Sequence, residues 1–309
     1  MAAVADKKLT GLVAATFTPL TPQGEVNLSQ IGPYIDYLTQ KQGVKNIFVN
    51  GTAGESMSFT VAERKMLAEE WCKKAKGIMD HVIVHVGCLS LKDSQELARH
   101  AAEIKADAIA IMAPFFLRPK NVAALRKFLQ EVASAAPSMP FYYYHIPRIT
   151  NVNLPVVDLL EDIENDIPSF SGVKFSASDA MDLGLCINNS KPQWTVLFGV
   201  DEELLSGLAM GAQGAIGSTY NYLGCHINKL LAAFEKNNLA EARRIQYNLQ
   251  ELLRYAKKYG GFDLGVNKQL MVELSGLPLG PPRPPVIQCP PENAQSIVQK
   301  FHSLFSESS

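Results

Sequence analysis

The 309-residue chain lacks long apolar runs, clusters of basic residues and closely spaced cysteines, and each absence excludes a class of protein. A transmembrane helix needs about 20 consecutive apolar residues, and no stretch of this sequence is long enough. The formal net charge is −1, which is not typical of a nucleic-acid or anionic-membrane surface. We therefore expect no nucleic-acid partner and no membrane partner.

The five cysteines are scattered, odd in number and without C-x-x-C spacing, so a disulfide framework is not predicted. Near the N-terminus, two lysines precede an apolar run that is shorter than a signal peptide requires, and we interpret this run as a first strand. These features predict a reduced, cytoplasmic protein in which the cysteines are structural.

Short, nearly continuous apolar runs alternate along the chain with stretches of helical periodicity, as strands buried on both faces of a parallel sheet require. Eight strands are predicted, at residues 11–17, 45–50, 81–86, 107–112, 140–144, 170–174, 195–198 and 213–216. This α/β pattern matches a (β/α)8 TIM barrel in size. A doubly wound open sheet is the competing architecture, but no G-x-G-x-x-G motif follows the first strand.

The helix after the second strand can be predicted in more detail. Thr60 and Glu63 form a capping box that begins the helix after the second strand, and we expect Met66, Leu67 and Trp71 to face the core.

The pattern changes after the eighth strand–helix unit. A helix is predicted over residues 239–259, ending at Gly260 and Gly261, and a further helix over about 263–275. Because no repeat or low-complexity linker is present, we predict one domain over residues 1–309. It comprises a barrel at 9–236 and a C-terminal helical extension at 237–309.

Active sites of this fold form at the C-terminal ends of the strands, so the polar residues that follow each strand are the site candidates. They are Thr52 in a glycine-rich turn after strand two, Tyr144 at the end of strand five, Lys174 and Ser176 after strand six, Gly199, Asp201 and Glu202 after strand seven, and Ser218 after strand eight.

Lys174 is the most informative candidate, because strand alternation places it on the face toward the barrel lumen. Its ordinary pKa is about 10.4, and nucleophilic attack near neutral pH requires a pKa roughly 3 units lower. A neutral amine can attack a ketone to form an imine. The alternative is a lysine that extends to solvent from a strand end, and the pattern alone leaves both open.

The other candidates also have two interpretations. Tyr144 is either packed in an aromatic strand or a phenol that moves a proton near an imine. Asp201 and Glu202 either begin a helix or bind substrate hydroxyls. The turn at 51–54 is either a tight loop or a set of backbone N–H groups that hold a carboxylate. His81 and His85 have no partners at ligand spacing, so we expect core or edge histidines and no metal site.

Six motifs then carry a family resemblance. They are FVNGTAGE (48–55), HVG (85–87), FYYYHIP (141–147), GVKFS (172–176), FGVDEELLSG (198–207) and GAIGSTYNYLG (214–224). From about residue 11 to about residue 282 the chain resembles the dihydrodipicolinate synthase-like class I aldolases. Within them it is most similar to the N-acetylneuraminate lyases of animals.

The resemblance implies retro-aldol cleavage of N-acetylneuraminate to N-acetylmannosamine and pyruvate. Lys174 would form the Schiff base, Tyr144 would shuttle the proton of the C4 hydroxyl, and Thr52 would place the tyrosine and hold the carboxylate. The implied sugar contacts are Ser176, Gly199, Asp201, Glu202 and Ser218. The resemblance also implies no cofactor, because the lysine is the electron sink, and a homotetramer.

Two positions depart from the family pattern. Ala53 replaces a hydroxyl residue of the carboxylate-binding loop, which predicts a raised KM with the Schiff-base step intact. Phe116 stands where bacterial relatives often have tyrosine, and its ring cannot relay a proton. Two alternative functions stay open. One is another aldolase of the same superfamily that acts on a shorter 2-keto acid such as 4-hydroxy-2-oxoglutarate, and the other, favoured only by Ala53, is a protein that binds sialic acid or pyruvate without turnover.

Overall fold

The computed structural model describes residues 9–259 and 263–306. Its centre is a closed barrel of eight parallel strands in sequence order, in which the first strand also pairs with the last. The strands are β1 Gly11–Ala15, β2 Asn46–Val49, β3 His81–His85, β4 Ala108–Met112, β5 Phe141–His145, β6 Phe170–Phe175, β7 Thr195–Phe198 and β8 Gly214–Gly217. The closure confirms the TIM barrel and excludes the open sheet.

Helices surround the barrel and cover its outer face. They are α1 Ile31–Tyr37, α2 Val61–Ala75, α3 Leu91–Glu103, α4 Val122–Ala133, α5 Pro147–Thr150, α6 Val156–Leu160, α7 Ile163–Asp166, α8 Ala180–Asn188, α9 Leu204–Ala209, α10 Tyr220–Glu235, α11 Leu239–Ala256, α12 Leu264–Ser275 and α13 Pro291–Phe305. The strands are almost wholly buried because side chains fill the lumen on one face and helices pack on the other. No helix in the described part of the chain is long and apolar enough to cross a bilayer.

The predicted capping box begins α2. Thr60 Oγ1 accepts from the Glu63 backbone N–H (3.2 Å), and Glu63 Oε2 accepts from the Thr60 backbone N–H (2.9 Å). Leu67 and Trp71 are buried as predicted. The prediction for Met66 is wrong, because its side chain is 38% exposed. Successive helical residues are rotated by about 100°, which turns Met66 off the buried stripe that includes Leu67.

The register of the β5–β6 pair shifts between Phe141 and Tyr142. Beyond this shift, Tyr142 lies opposite Gly172 and Tyr144 lies opposite Lys174. Gly172 has a φ of +151°, and a Cβ there would collide with the Thr195 carbonyl. Glycine is therefore required at this position, and the register it permits brings the two predicted catalytic side chains together.

The C-terminal extension consists of α11, α12 and α13. Both α11 and α12 contact α10, and α13 contacts α11 and α12. The prediction that Gly260 and Gly261 end the first of these helices lies outside the described residues. Before them, α11 ends at Ala256 and is followed by a 3-10 turn at Lys257–Tyr259.

Candidate active site

Lys174 projects from the end of β6 into the lumen, where it is only 4% exposed. Its Nζ lies 3.9 Å from the centroid of the Tyr144 ring and 4.2 Å from that of Phe48. Burial lowers the pKa of Lys174 from 10.5 to about 7, and the nearby Asp201 carboxylate opposes this shift. Much of the amine is therefore neutral near neutral pH and can act as a nucleophile.

Tyr144 presents its phenol next to that amine. Its hydroxyl lies 3.3 Å from Thr52 Oγ1, and its ring packs edge-on against Phe48 and His85. Burial raises the pKa of Tyr144 to about 12, so the phenol keeps its proton at neutral pH. The hydroxyl pair can pass a proton to or from a substrate oxygen held above Lys174.

The loop after β2 carries Thr52 and Ala53 between two residues in the left-handed region. Asn50 has a φ of +57° and Glu55 a φ of +56°. Such a backbone costs about 1 kcal/mol or more for residues other than glycine, so it persists only where other contacts hold it. Asn50 Nδ2 donates to the Arg64 carbonyl (2.9 Å). Thr52 is exposed at the mouth, whereas Ala53 is buried.

Asp201 begins a 3-10 turn after β7 and is buried. Its Oδ2 accepts hydrogen bonds from the backbone N–H (2.9 Å) and the hydroxyl (2.6 Å) of Thr219. Burial raises the pKa of Asp201 to about 6, against the effect of the Thr219 bonds. Glu202 is partly exposed and raises the same pKa through its charge.

The remaining predicted residues form one wall of the mouth. Ser176 Oγ is buried and close enough to Tyr144 to lower the pKa of its phenol, and it has no other hydrogen-bond partner among the described atoms. Gly199 packs against it so closely that a Cβ there would collide with Ser176 Oγ. Ser218 is partly exposed and accepts a hydrogen bond from Asn267 Nδ2 (2.6 Å).

His85, Phe48, Thr219 and Asn267 belong to the site but were not predicted as site residues. The imidazole of His85 is buried as expected of a core histidine, and burial lowers its pKa well below the ordinary value. Its Nδ1 lies 3.0 Å from the Asn50 carbonyl, which only accepts, so Nδ1 carries the proton. The HVG motif was a signal for His85, whereas nothing in the sequence pattern distinguishes Asn267.

We also searched the described residues for a group of side chains that could bind a metal ion. Across residues 9–259 and 263–306, no group of three or more His, Cys, Asp or Glu side chains is placed to hold a metal ion.

A TIM barrel with a buried lysine at its mouth is the architecture expected of the aldolase family predicted above. The chain belongs to the dihydrodipicolinate synthetase family, whose sequence model matches residues 8–303. It is 55% identical over 299 residues to N-acetylneuraminate lyase of Danio rerio, a match that covers 96% of this chain and 97% of that protein. It is 53% identical to N-acetylneuraminate lyase of Homo sapiens, with 96% and 93% covered.

A solved structure agrees with these sequence relatives. The Proteus mirabilis N-acetylneuraminate lyase superposes with a TM-score of 0.90 at 32% identity, covering 97% of this chain and 99% of that one. The predicted family resemblance and the fold are both confirmed.

Proposed function

We propose that the protein is a carbon–carbon lyase that cleaves N-acetylneuraminate to N-acetylmannosamine and pyruvate through a Schiff base on Lys174. The observation that carries the proposal is the buried amine at the barrel mouth, with its pKa lowered to about 7 and a phenol beside it. The choice of N-acetylneuraminate as the substrate rests on the similarity to N-acetylneuraminate lyases, at 53–55% identity over nearly the whole chain.

The steps follow from the two side chains. The neutral amine of Lys174 attacks the C2 ketone of open-chain sialic acid, and loss of water gives a protonated imine. The C4 hydroxyl passes its proton to Tyr144 as Tyr144 passes its own through Thr52, which is exposed at the mouth, to solvent. The C3–C4 bond breaks in the same step, and its bonding electrons move into the imine to form an enamine. N-acetylmannosamine leaves, the enamine takes a proton at C3, and hydrolysis frees pyruvate and Lys174.

We assign the other site residues to binding. The loop that carries Thr52 and Ala53 would receive the substrate carboxylate, and the sugar would contact Ser176, Gly199, Asp201, Glu202 and Ser218. The lysine itself is the electron sink, so the proposed mechanism uses no metal and no organic cofactor.

We also propose a cytoplasmic homotetramer in which residues 1–309 form one domain. The five unpaired cysteines support a reducing compartment.

The support for an oligomer is an exposed apolar pair. Phe116 and Leu117, at 76% and 83% exposure, are adjacent large apolar side chains of the kind that another copy of the chain covers. Light scattering after size exclusion tests the assembly, and a monomer at micromolar concentration would contradict it.

The alternatives of a short 2-keto acid aldolase and of a binding protein without turnover are not favoured. The relatives with high identity over nearly full length are N-acetylneuraminate lyases.

The decisive experiment traps the intermediate. The protein is incubated with N-acetylneuraminate, reduced with borohydride and mapped by mass spectrometry, with Lys174→Met as the control. A pyruvyl-sized adduct on Lys174 would show both imine formation and carbon–carbon cleavage. A whole-sugar adduct, or modification of another lysine, would contradict the proposal.

A further inference from the structure

Helix α12 lies outside the barrel but reaches its mouth through two consecutive polar residues. Asn267 and Lys268 are 6% and 1% exposed within an otherwise largely apolar buried face. Buried polar side chains are costly unless their hydrogen bonds are satisfied, so the partners of these two residues indicate what they do.

Lys268 holds the loop after β2. Its Nζ donates to Glu55 Oε1 (2.8 Å) and to the Pro281 carbonyl (3.2 Å). The second oxygen of Glu55 accepts from the Arg283 backbone N–H (2.7 Å). Both carboxylate oxygens are thus engaged by the C-terminal extension, which stabilises the left-handed backbone of Glu55. Three residues earlier, the same loop presents Thr52 to the phenol of the active site.

Asn267 holds the opposite side of the mouth. Its Oδ1 accepts from the Tyr222 hydroxyl (2.8 Å), which orients the amide, and its Nδ2 donates to Ser218 Oγ (2.6 Å). An amide N–H can only donate, so Ser218 acts as the acceptor in this bond and keeps its own proton for another partner. The partly exposed Ser218 therefore presents an O–H donor at the mouth.

We propose that Asn267 and Lys268 are positioning residues for the lyase reaction, each setting a different loop of the active site. Asn267 makes Ser218 a hydrogen-bond donor toward an oxygen of the sugar, and Lys268 with Glu55 fixes the loop that aligns Thr52 with the phenol. The inference rests on the proposed function. It predicts that Asn267 affects KM alone, whereas its neighbour Lys268 affects kcat.

Asn267→Asp tests the direction of the hydrogen bond, because aspartate has nearly the same shape but only accepts. The carboxylate would draw the Ser218 proton toward itself and present an acceptor to the sugar. We expect KM for N-acetylneuraminate to rise roughly threefold to tenfold, the worth of one hydrogen bond. The rate of borohydride trapping with pyruvate alone should stay unchanged. Ser218→Ala should raise KM similarly, and the double variant should show no further increase.

The matched control is Gln269→Leu on the same helix. Gln269 Nε2 donates to Glu273 on α12 itself (2.9 Å), and its Oε1 accepts from Gln288 (3.3 Å), so neither bond reaches the mouth. Both kinetic constants should equal those of the wild type. If Asn267→Asp retains the wild-type KM in a protein that cleaves N-acetylneuraminate normally, the role of Asn267 is refuted.

Glu55→Gln with Lys268→Met tests the other side. A single substitution would leave a buried charge unpaired, whereas neutral side chains of similar volume in place of both partners preserve the fold. We expect the folded double variant to lose about tenfold or more in kcat through misplaced proton transfer, and KM to rise as well, because the same loop would receive the substrate carboxylate. An unchanged kcat would overturn the role of Lys268. Failure of the wild type to cleave the sugar would instead remove the proposed function.

Discussion

Lys174→Met should make the protein more stable at neutral pH while abolishing cleavage. The amine is buried, and its pKa falls from 10.5 to about 7 on folding. Each pKa unit corresponds to about 1.4 kcal/mol, so at pH 7 the folded state bears a cost of about 4 kcal/mol. Methionine has a similar length and no charge, so the variant avoids this cost.

The sign of the pH dependence follows from where each state binds the proton. Between pH 7 and 10.5 the unfolded chain keeps the lysine proton and the folded chain has lost it. The free energy of unfolding of the wild type therefore rises across this range. The penalty is full below pH 7 and absent above pH 10.5. The advantage of Lys174→Met should shrink accordingly as pH rises.

Urea unfolding followed by circular dichroism, at roughly pH 6 to 10, measures the difference. A change in packing does not vary with pH, so the slope isolates the ionisation of Lys174. Lys73→Met is the control, because its side chain is 74% exposed and should give a difference within about 0.5 kcal/mol at every pH. A difference between Lys174→Met and wild type that is constant across pH would falsify the reasoning.

Three further predictions concern the reaction. The rate of borohydride trapping should rise with pH through a midpoint of about 7, and Asp201→Asn should lower that midpoint because the carboxylate raises the pKa of Lys174. Tyr144→Phe should lower kcat by roughly 10²-fold or more, while pyruvate trapping on Lys174 persists; a kcat within twofold of wild type would exclude the phenol from proton transfer. Ala53→Thr should lower KM about tenfold, since a hydrogen bond to a charged group contributes about 1.5–3 kcal/mol; an unchanged KM would contradict this account of the loop.

The sequence was sufficient for the barrel because each strand is a continuous apolar run, a pattern set locally by burial on both faces. Strand alternation also placed Lys174 at the mouth, but it left a lysine that extends to solvent as an alternative, and only the family motifs selected Lys174 as the nucleophile. The sequence pattern failed for Met66, where periodicity alone does not determine how wide the buried stripe is.

The supports of the site were beyond local reasoning for a different reason. Glu55 and Lys268 are 213 residues apart, and Ser218 and Asn267 are 49 apart. No periodicity links such pairs, because only the packing of α12 against the barrel brings them together. A lysine in an apolar helix indicates a buried partner, but does not indicate which carboxylate it meets.

The ion pair between Glu55 and Lys268 also determines at what stage of its synthesis the chain can form an ordered active site. The ribosome releases the loop after β2 long before α12, so Glu55 has no Lys268 to pair with while strands β3 to β8 are synthesised. A carboxylate without its partner favours water over the protein interior, and the loop cannot take its final conformation until α12 arrives. Synthesis arrested before that helix would leave a nascent barrel that contains the nucleophile but no ordered catalytic centre.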